Sequence, residues 1–376
     1  MSLFSKMAER IKALDRRLWP AHRVAMNREM AAVLREHKMI LADVGSAGGP
    51  EELWLGLEEY IHFLTFDPNP RPSQGGNYAQ ATNFPVGLWS TNGKMNLHVT
   101  SHPDSSSLLP INTPFFSEFI AKSGMEEVAS ASIEVDTLDR LLTGKPELSP
   151  DFLKLDVEGG ELEVLKGSLR ALSDTVLGLK IETAFVEMQM GRPLLWQIDE
   201  FMRSEGFTLF NVGRNYWIRN NRMHGYSSQP QLIWGDAIYF LSRESFLRRL
   251  TAGNNEQRKI LLTKFVVLLL RYGVHDYTWD IIEASTSSGM VPASFADDVK
   301  TAVKDSMDTS GWYFINGALG LMFAFLVLIL SLPAREPRIR GVFYVKQRAR
   351  RLFYDLTRLA VLGGRGHNAC LEDPFV

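Results

Sequence analysis

Two carboxylates close an apolar run in DFLKLDVEGGELEVLKGS, residues 151–168, where Asp156 and Glu158 stand just past FLKL and just before two glycines. Carboxylates are seldom buried without a partner. Acids at this point are therefore expected where a strand leaves the core, at the carboxyl end of a parallel sheet, which is where open α/β sheets bind ligands. Glu182, at the end of the apolar run VLGLKIE, is expected to converge on the same crevice. Three acids in one mouth suit two kinds of chemistry. Acids that raise one another's pKa provide a base for a hydroxyl acceptor, worth about 10²- to 10⁴-fold in rate; alternatively they gather a divalent cation through oxygen ligands. A structural reading stands beside both, in which Glu158 and Glu161 cap the helix starting at Gly159 and Asp156 bonds to the glycine turn.

A second constellation is LADVGSAGGPEELW, an apolar strand, an acid, a glycine turn and a helix start, which lets backbone N–H groups approach a nucleotide-like ligand. Gly45, Ala47 and Gly49 lack the middle glycine of the dinucleotide fingerprint and no P-loop lysine follows, so a ligand smaller than a pyrophosphate is expected. Some 20 residues on, the next strand ends in TFDPNPRP, placing Asp67 where an acid accepts both hydroxyls of a ribose. Ribose without pyrophosphate suggests a nucleoside. Three histidines outside the strand interiors, His98, His102 and His224, offer another base, and His224 in the polar loop NNRMHGYSSQ is the best placed of them. NVGRNYWIRNNRM mixes aromatic residues with Arg214, Arg219 and Arg222, a pattern suited to stacking on sugars or holding phosphate.

These residues need a scaffold of alternating strands and helices. From residue 39 short apolar runs bounded by Gly, Pro, Asp and Asn alternate with helical periods. Strands are expected at 39–45, 61–67, 84–89, 132–137, 151–157, 176–182, 207–212 and 236–241, with helical spacing in GPEELWLGLEEY and GELEVLKGSLRAL. The alternation predicts a doubly wound α/β domain. After about residue 246 helical patterns dominate. The chain thus divides into an N-terminal helical segment (1–38), an α/β domain (39–245) and a helical C-terminal region (246–376).

Two amphipathic or apolar features flank that domain. The opening stretch is a basic amphipathic helix, packing on its own domain or docking on an anionic surface. It lacks the apolar core and cleavage site of a secretory signal, so a cytoplasmic start is expected. The uncharged run 309–334, with Trp312 and Tyr313 at one end and Arg335, Arg338 and Arg340 at the other, exceeds the roughly 20 apolar residues that a bilayer span needs. A membrane-associated catalytic domain is expected, this helix being re-entrant, interfacial, paired with 260–270 or buried in protein. The formal net charge of -2 gives no basic field for nucleic acid, and the single Cys370 excludes an internal disulfide.

The segments LADVGSAGG, LTFDPNP, VGLWSTNGKMNLHVT, SSLLPIN, VDTLDRLL, DFLKLDVEGGELEVLKG, KIETAF, GRPLLWQIDEFMRSEGFTLFNV and GDAIYF occur in an order and spacing that resembles the FkbM family of S-adenosylmethionine-dependent methyltransferases, over residues 39 to 241. The resemblance implies a Rossmann-like, seven-stranded, mostly parallel sheet with the cofactor across the carboxyl ends of its strands. It implies that Asp43, Gly45, Ser46 and Gly49 surround the methionine portion and that Asp67 holds the ribose. Leu88, Trp89 and Ser90 would lie near the adenine, and Asp156 would touch cofactor or acceptor. Ser46 and Ala47 replace the Ala-Asn of the family's usual turn. Methyl transfer from a sulfonium is an in-line displacement that depends first on holding nucleophile and methyl carbon about 3 to 3.5 Å apart. The expected activity is O-methylation of a sugar, glycan or lipid-linked precursor. The alternatives are methylation of a nitrogen or carboxyl group, or a membrane-associated binding or scaffolding protein with a decayed methyltransferase domain.

Overall fold

MILADV forms β1 (Met39–Val44) and is buried at every residue. A strand without polar alternation needs cover on both faces, which a parallel sheet flanked by helices supplies. The computed structural model describes residues 24–45, 51–69, 78, 80–119, 125–217, 219 and 231–307. Those up to 306 lie in one compact unit, Ala21–Arg222 with Ser228–Ser306. The other unit, Met1–Pro20, Met223–Ser227 and Met307–Val376, falls outside the described residues except for Met307.

The remaining strands are β2 (Ile61–Phe66), β3 (Gln80–Phe84), β4 (Gly87–Leu88), β5 (Gly93–Thr100), β6 (Glu127–Asp136), β7 (Phe152–Leu155), β8 (Gly178–Ala184), β9 (Phe207–Val212), β10 (Asn215–Trp217) and β11 (Gln231–Leu241). The main sheet runs β3, β2, β1, β7, β8, β11, with β9 and β10 both paired to β11. All pairs from β3 to β8 are parallel, and β11 is antiparallel to its neighbours. Because β9 pairs with residues 237–241 of β11 and β10 with 231–234, they share one edge position end to end. Among the described residues eight strands thus fill the seven expected positions. The sheet grows from β1 through β2 to β3 on one side and through β7 to β8 on the other. This reversal makes a switch point between β1 and β7.

Two expected strands lie elsewhere. The segment 84–89 is split: Phe84 ends β3, Pro85 cannot donate to the ladder, and Gly87–Leu88 pairs with β6. With β4 and the antiparallel β5, β6 forms a separate three-stranded sheet, so 132–137 is not part of the main sheet.

The helices are α1 (Arg28–Glu36), α2 (Thr113–Ser117), α3 (Leu138–Leu141), α4 (Glu161–Lys166), α5 (Leu169–Asp174), α6 (Leu195–Ser204), α7 (Arg243–Ala252), α8 (Asn255–Arg271), α9 (His275–Ser287) and α10 (Ala293–Met307). GPEELWLGLEEY forms two 3-10 turns, Glu52–Trp54 and Glu58–Tyr60, in place of the expected helix. Gly56 has φ +84°, and the Arg271 guanidinium takes the carbonyls of Leu53 and Leu55 that a helix would bond to its own N–H groups.

Helices α7 to α10, which the sequence sets apart from the sheet, share its hydrophobic core: Leu262, Phe265, Leu269 and Phe295 belong to one cluster with Leu41, Leu153 and Tyr239. Within the run 260–270, Leu262 and residues 265–270 are thus packed in this core. Among the described residues no helix is long and apolar enough to cross a membrane, and the run 309–334 lies outside them.

Candidate active site

Two polar rows cross the carboxyl edge of the main sheet on one face. Thr65, Asp43, Lys154 and Lys180 are register neighbours on β2, β1, β7 and β8. Two residues further along, where side chains return to the same face, come Asp156, Glu182 and Asp236, with Glu182 directly opposite Asp236. The two lysines of the first row each lie between acids. Lys154 Nζ donates to Asp43 Oδ1 (2.9 Å) and lies 3.4 Å from Asp156; Lys180 Nζ donates to Glu51 (2.5 Å) and lies 3.4 Å from Asp236. Burial pushes Asp43 up to about 6 although Lys154 opposes it. Lys154, against the effect of its own burial, is held above its ordinary range by Asp43 and Asp156.

The switch point is tight. Gly45 N–H donates to Phe66 O (3.0 Å) and Asp156 N–H to Val44 O (3.0 Å), and a Cβ on Gly45 would lie 1.9 Å from the Asp156 carbonyl oxygen. Gly45 also has φ +79°. Gly45→Ala is expected to cost at least about 2 kcal/mol and to separate β1 from β7. A thermal melt and cofactor calorimetry on the variant check this, and a wild-type result in both would contradict the packing.

Beyond β7 the chain turns through Glu158 at φ +54° and Gly159 at φ +113°. Glu161 caps this turn, its Oε1 accepting from the N–H groups of Gly159 (3.0 Å) and Val157 (3.3 Å). Glu158 has a different engagement from the capping role: its carbonyl accepts from Ser107 Oγ (2.7 Å) and its Oε2 from Gln189 Nε2 (3.2 Å). Gln189 Oε1 in turn accepts from Arg192 Nη1 (3.0 Å), and Arg192 Nη2 donates to Glu182 Oε2 (2.7 Å). Asp156, Glu158 and Glu182 each offer a carboxylate oxygen within 4.8 Å of the others, so the convergence expected from sequence is present. Burial raises Glu182 to about 7 against the pull of Arg192. Burial, with the charge of Glu182, drives Glu158 well above the usual carboxylate range. The arrangement holds a proton near neutral pH and suits proton transfer.

The other expected residues are distributed around this centre. Asp67 follows β2 directly, its Oδ1 accepting from Asn69 N–H (2.7 Å). Leu88 is buried, Trp89 packs its ring on Gly160, and Ser90 Oγ donates to Glu163 (2.5 Å), so this segment lies against the start of α4. His98 faces Glu127 (3.0 Å) on the small sheet, and His102 is exposed. Arg219 pairs with Glu118 and lies over Phe119. Ser46, Gly49, Arg222 and His224 lie outside the described residues.

Lys154, Lys180, Gln189 and Arg192 were not among the expected site residues. One signal was available for the lysines: KLD at 154–156 and KIE at 180–182 repeat a lysine two residues before an acid in an apolar strand.

The chain matches the family model described as the methyltransferase FkbM domain over residues 51–209. Among curated proteins none matches. A solved structure of the methyltransferase FkbM from Methylobacillus flagellatus KT is similar at 16% identity over 54% of this chain and 44% of that one, with a TM-score of 0.32. This chain thus spans less than half of that relative's length. The Burkholderia thailandensis 1,6-didemethyltoxoflavin-N1-methyltransferase, solved with 1,6-didemethyltoxoflavin and S-adenosylhomocysteine, is 10% identical over 64% of this chain and 87% of that one (TM-score 0.27). The Synechocystis PCC 6803 magnesium protoporphyrin IX methyltransferase, solved with S-adenosylmethionine, is 10% identical over 64% and 98% (TM-score 0.27).

Proposed function

We propose that this chain, an S-adenosylmethionine-dependent methyltransferase whose residues 51–209 match the methyltransferase FkbM domain, acts on a hydroxyl of a sugar, glycan or lipid-linked precursor, with Glu182, beside Glu158, receiving the proton. The observation that carries the reading is the carboxylate pair beside the β1–β7 switch point, Glu182 buried and Glu158 half-buried, with Glu182 poised at about 7. An amine or carboxylate acceptor needs no such base. A hydroxyl does, because its proton must leave as the carbon–oxygen bond forms.

The residues present suit the cofactor. Asp43 is buried near the end of β1 and its Oδ2 has no hydrogen-bond partner among the described residues, which favours a cationic or N–H-bearing group beside it. Asp67, one strand over, is the residue that would hold the ribose hydroxyls. When bound, the cofactor supplies a methyl group on a sulfonium. The protein's part is to hold the acceptor hydroxyl against Glu182 and to exclude water from the acids.

A second reading places a divalent cation among Asp156, Glu158 and Glu182, favoured by their mutual approach within 4.8 Å. The Arg192 guanidinium, 2.7 Å from Glu182, already neutralises part of the charge that a cation would need, which favours the proton-transfer reading over the metal. The lipid-linked part of the acceptor class rests on the apolar run 309–334 of the sequence.

Labelled methyl transfer to fractionated glycolipids and polysaccharides tests the reading. The expected product is an alkali-stable methyl ether whose yield survives dialysis against chelator. A labelled ester or amine would replace the hydroxyl acceptor, loss on chelation would favour the cation, and no cofactor binding at millimolar concentration would leave a binding or scaffolding role.

A further inference from the structure

Arg192 lies in the loop between β8 and α6, and its side chain is wholly buried. A guanidinium taken out of water is tolerated only where its charge is met. Here three elements meet it. Glu182 of β8 accepts at 2.7 Å, Glu161 at the start of α4 lies at 3.7 Å, and Gln189 of its own loop accepts at 3.0 Å. The stem fits because residue 159 is glycine: a Cβ there would lie 3.3 Å from Arg192 Cγ and 3.5 Å from Cδ. Gln189, oriented by the acceptance from Arg192, spends its amide N–H on Glu158 (3.2 Å). Both carboxylates assigned to the proton are thus tied to one guanidinium, Glu182 directly and Glu158 through an amide.

We propose that Arg192 is a positioning residue that makes the two acids unequal: its direct charge-assisted bond keeps Glu182 the ionised member and proton acceptor, while Glu158, reached only by the neutral amide of Gln189, retains the shared proton. This rests on the hydroxyl-acceptor reading above. Charge-assisted bonds are roughly twice as strong as neutral ones, which sets the direction of the asymmetry. Among the described residues the other charged groups facing the pair are acids, Asp156 from the turn, Glu161 from α4 and Asp236 opposite Glu182 on β11, itself near Lys180. Arg192 is therefore the cation in direct contact with Glu182 among the described residues. Without it, Glu182 binds its proton more tightly and its titration moves up in pH.

The test follows Glu182 in the full-length chain without cofactor or acceptor, by infrared titration of the carboxyl band that Glu182→Gln removes. In Arg192→Met that band is expected to titrate at least one pH unit higher than in the wild type, a tenfold change in proton affinity or more. Arg192→Lys, which retains the charge, is expected to restore most of the difference. An unmoved band in a folded Arg192→Met chain overturns the proposal, as does a lysine variant that behaves like methionine. If Arg192→Met does not fold, Gln189→Leu takes its place: the Glu158 band is expected to move and the Glu182 band to stay, and the reverse overturns the proposal. Turnover separates the two layers of argument. If Glu182→Gln and Glu158→Gln retain activity, the hydroxyl-acceptor reading falls; if they lose it while the arginine variants titrate as wild type, only the role of Arg192 falls.

Discussion

Glu182→Gln is expected to slow methyl transfer by about 10²- to 10⁴-fold at pH 7.5 while cofactor affinity stays within about twofold of wild type. The substitution keeps the volume and a carbonyl oxygen for Arg192, so packing against β8 and β11 has little reason to change. What it removes is the capacity to take a proton. In the wild type the acid limb of kcat/KM should fall near pH 7, because burial holds Glu182 at about 7. The sign is that of a base: below pH 7 Glu182 becomes protonated and the rate drops tenfold per unit, whereas above it the rate is flat. Label transfer across pH 5.5 to 9 for both proteins measures this. A glutamine variant with a wild-type rate and the same acid limb would remove Glu182 from the chemistry.

Lys264→Met should be the most damaging substitution for stability, lowering it by about 3 to 5 kcal/mol. Asp151 precedes β7 and is buried, and its Oδ2 accepts from Ile40 N–H of β1 and from Lys264 Nζ of α8, each at 2.7 Å. Its backbone N–H also donates to Ile40 O (2.8 Å). This carboxylate joins two sheet strands to a helix. Methionine fills the same space but leaves a buried acid with one amide donor, and each kcal/mol lowers the melting temperature by roughly 2 to 4 °C in a chain of this class, for a fall near 10 °C. Pairing it with Asp151→Asn should recover part of the loss, since the uncompensated charge is then absent. A melting curve that moves by less than about 2 °C would mean that the ion pair is open in solution.

The inner strands of the main sheet, β1, β2, β7 and β8, were legible because their burial is written as apolar runs, and the acids past FLKL and LGLKI could be placed at its carboxyl edge for the same reason; the outer strands β3 and β10, short and without a buried residue, were not. The small sheet was read only in part: SIEVDT was expected as a strand of the main sheet, whereas GKMNLHVT, in which Met95, Leu97 and Val99 alternate with polar residues, was passed over because none of those three is buried in the core. The misreading of GPEELWLGLEEY had a different origin: its spacing is helical, but Arg271, more than 200 residues away, competes for its carbonyls. Tertiary competition of that kind leaves no local trace. Arg192 and Gln189 escaped for a related reason, since an arginine in GRPLLW reads as a solvated loop residue until the turn at Gly159 is known to lie over its stem.

The left-handed backbone at Glu158 carries an evolutionary consequence. Among the described residues it is the non-glycine with a positive φ, a conformation in which glycine or asparagine would relieve about 1 to 2 kcal/mol of strain. Selection for heat resistance alone would pull position 158 toward those residues, and selection for turnover would pull it back to glutamate. The two pressures oppose one another at a single codon, so the residue kept there in any lineage records whether the acid pair is still in use.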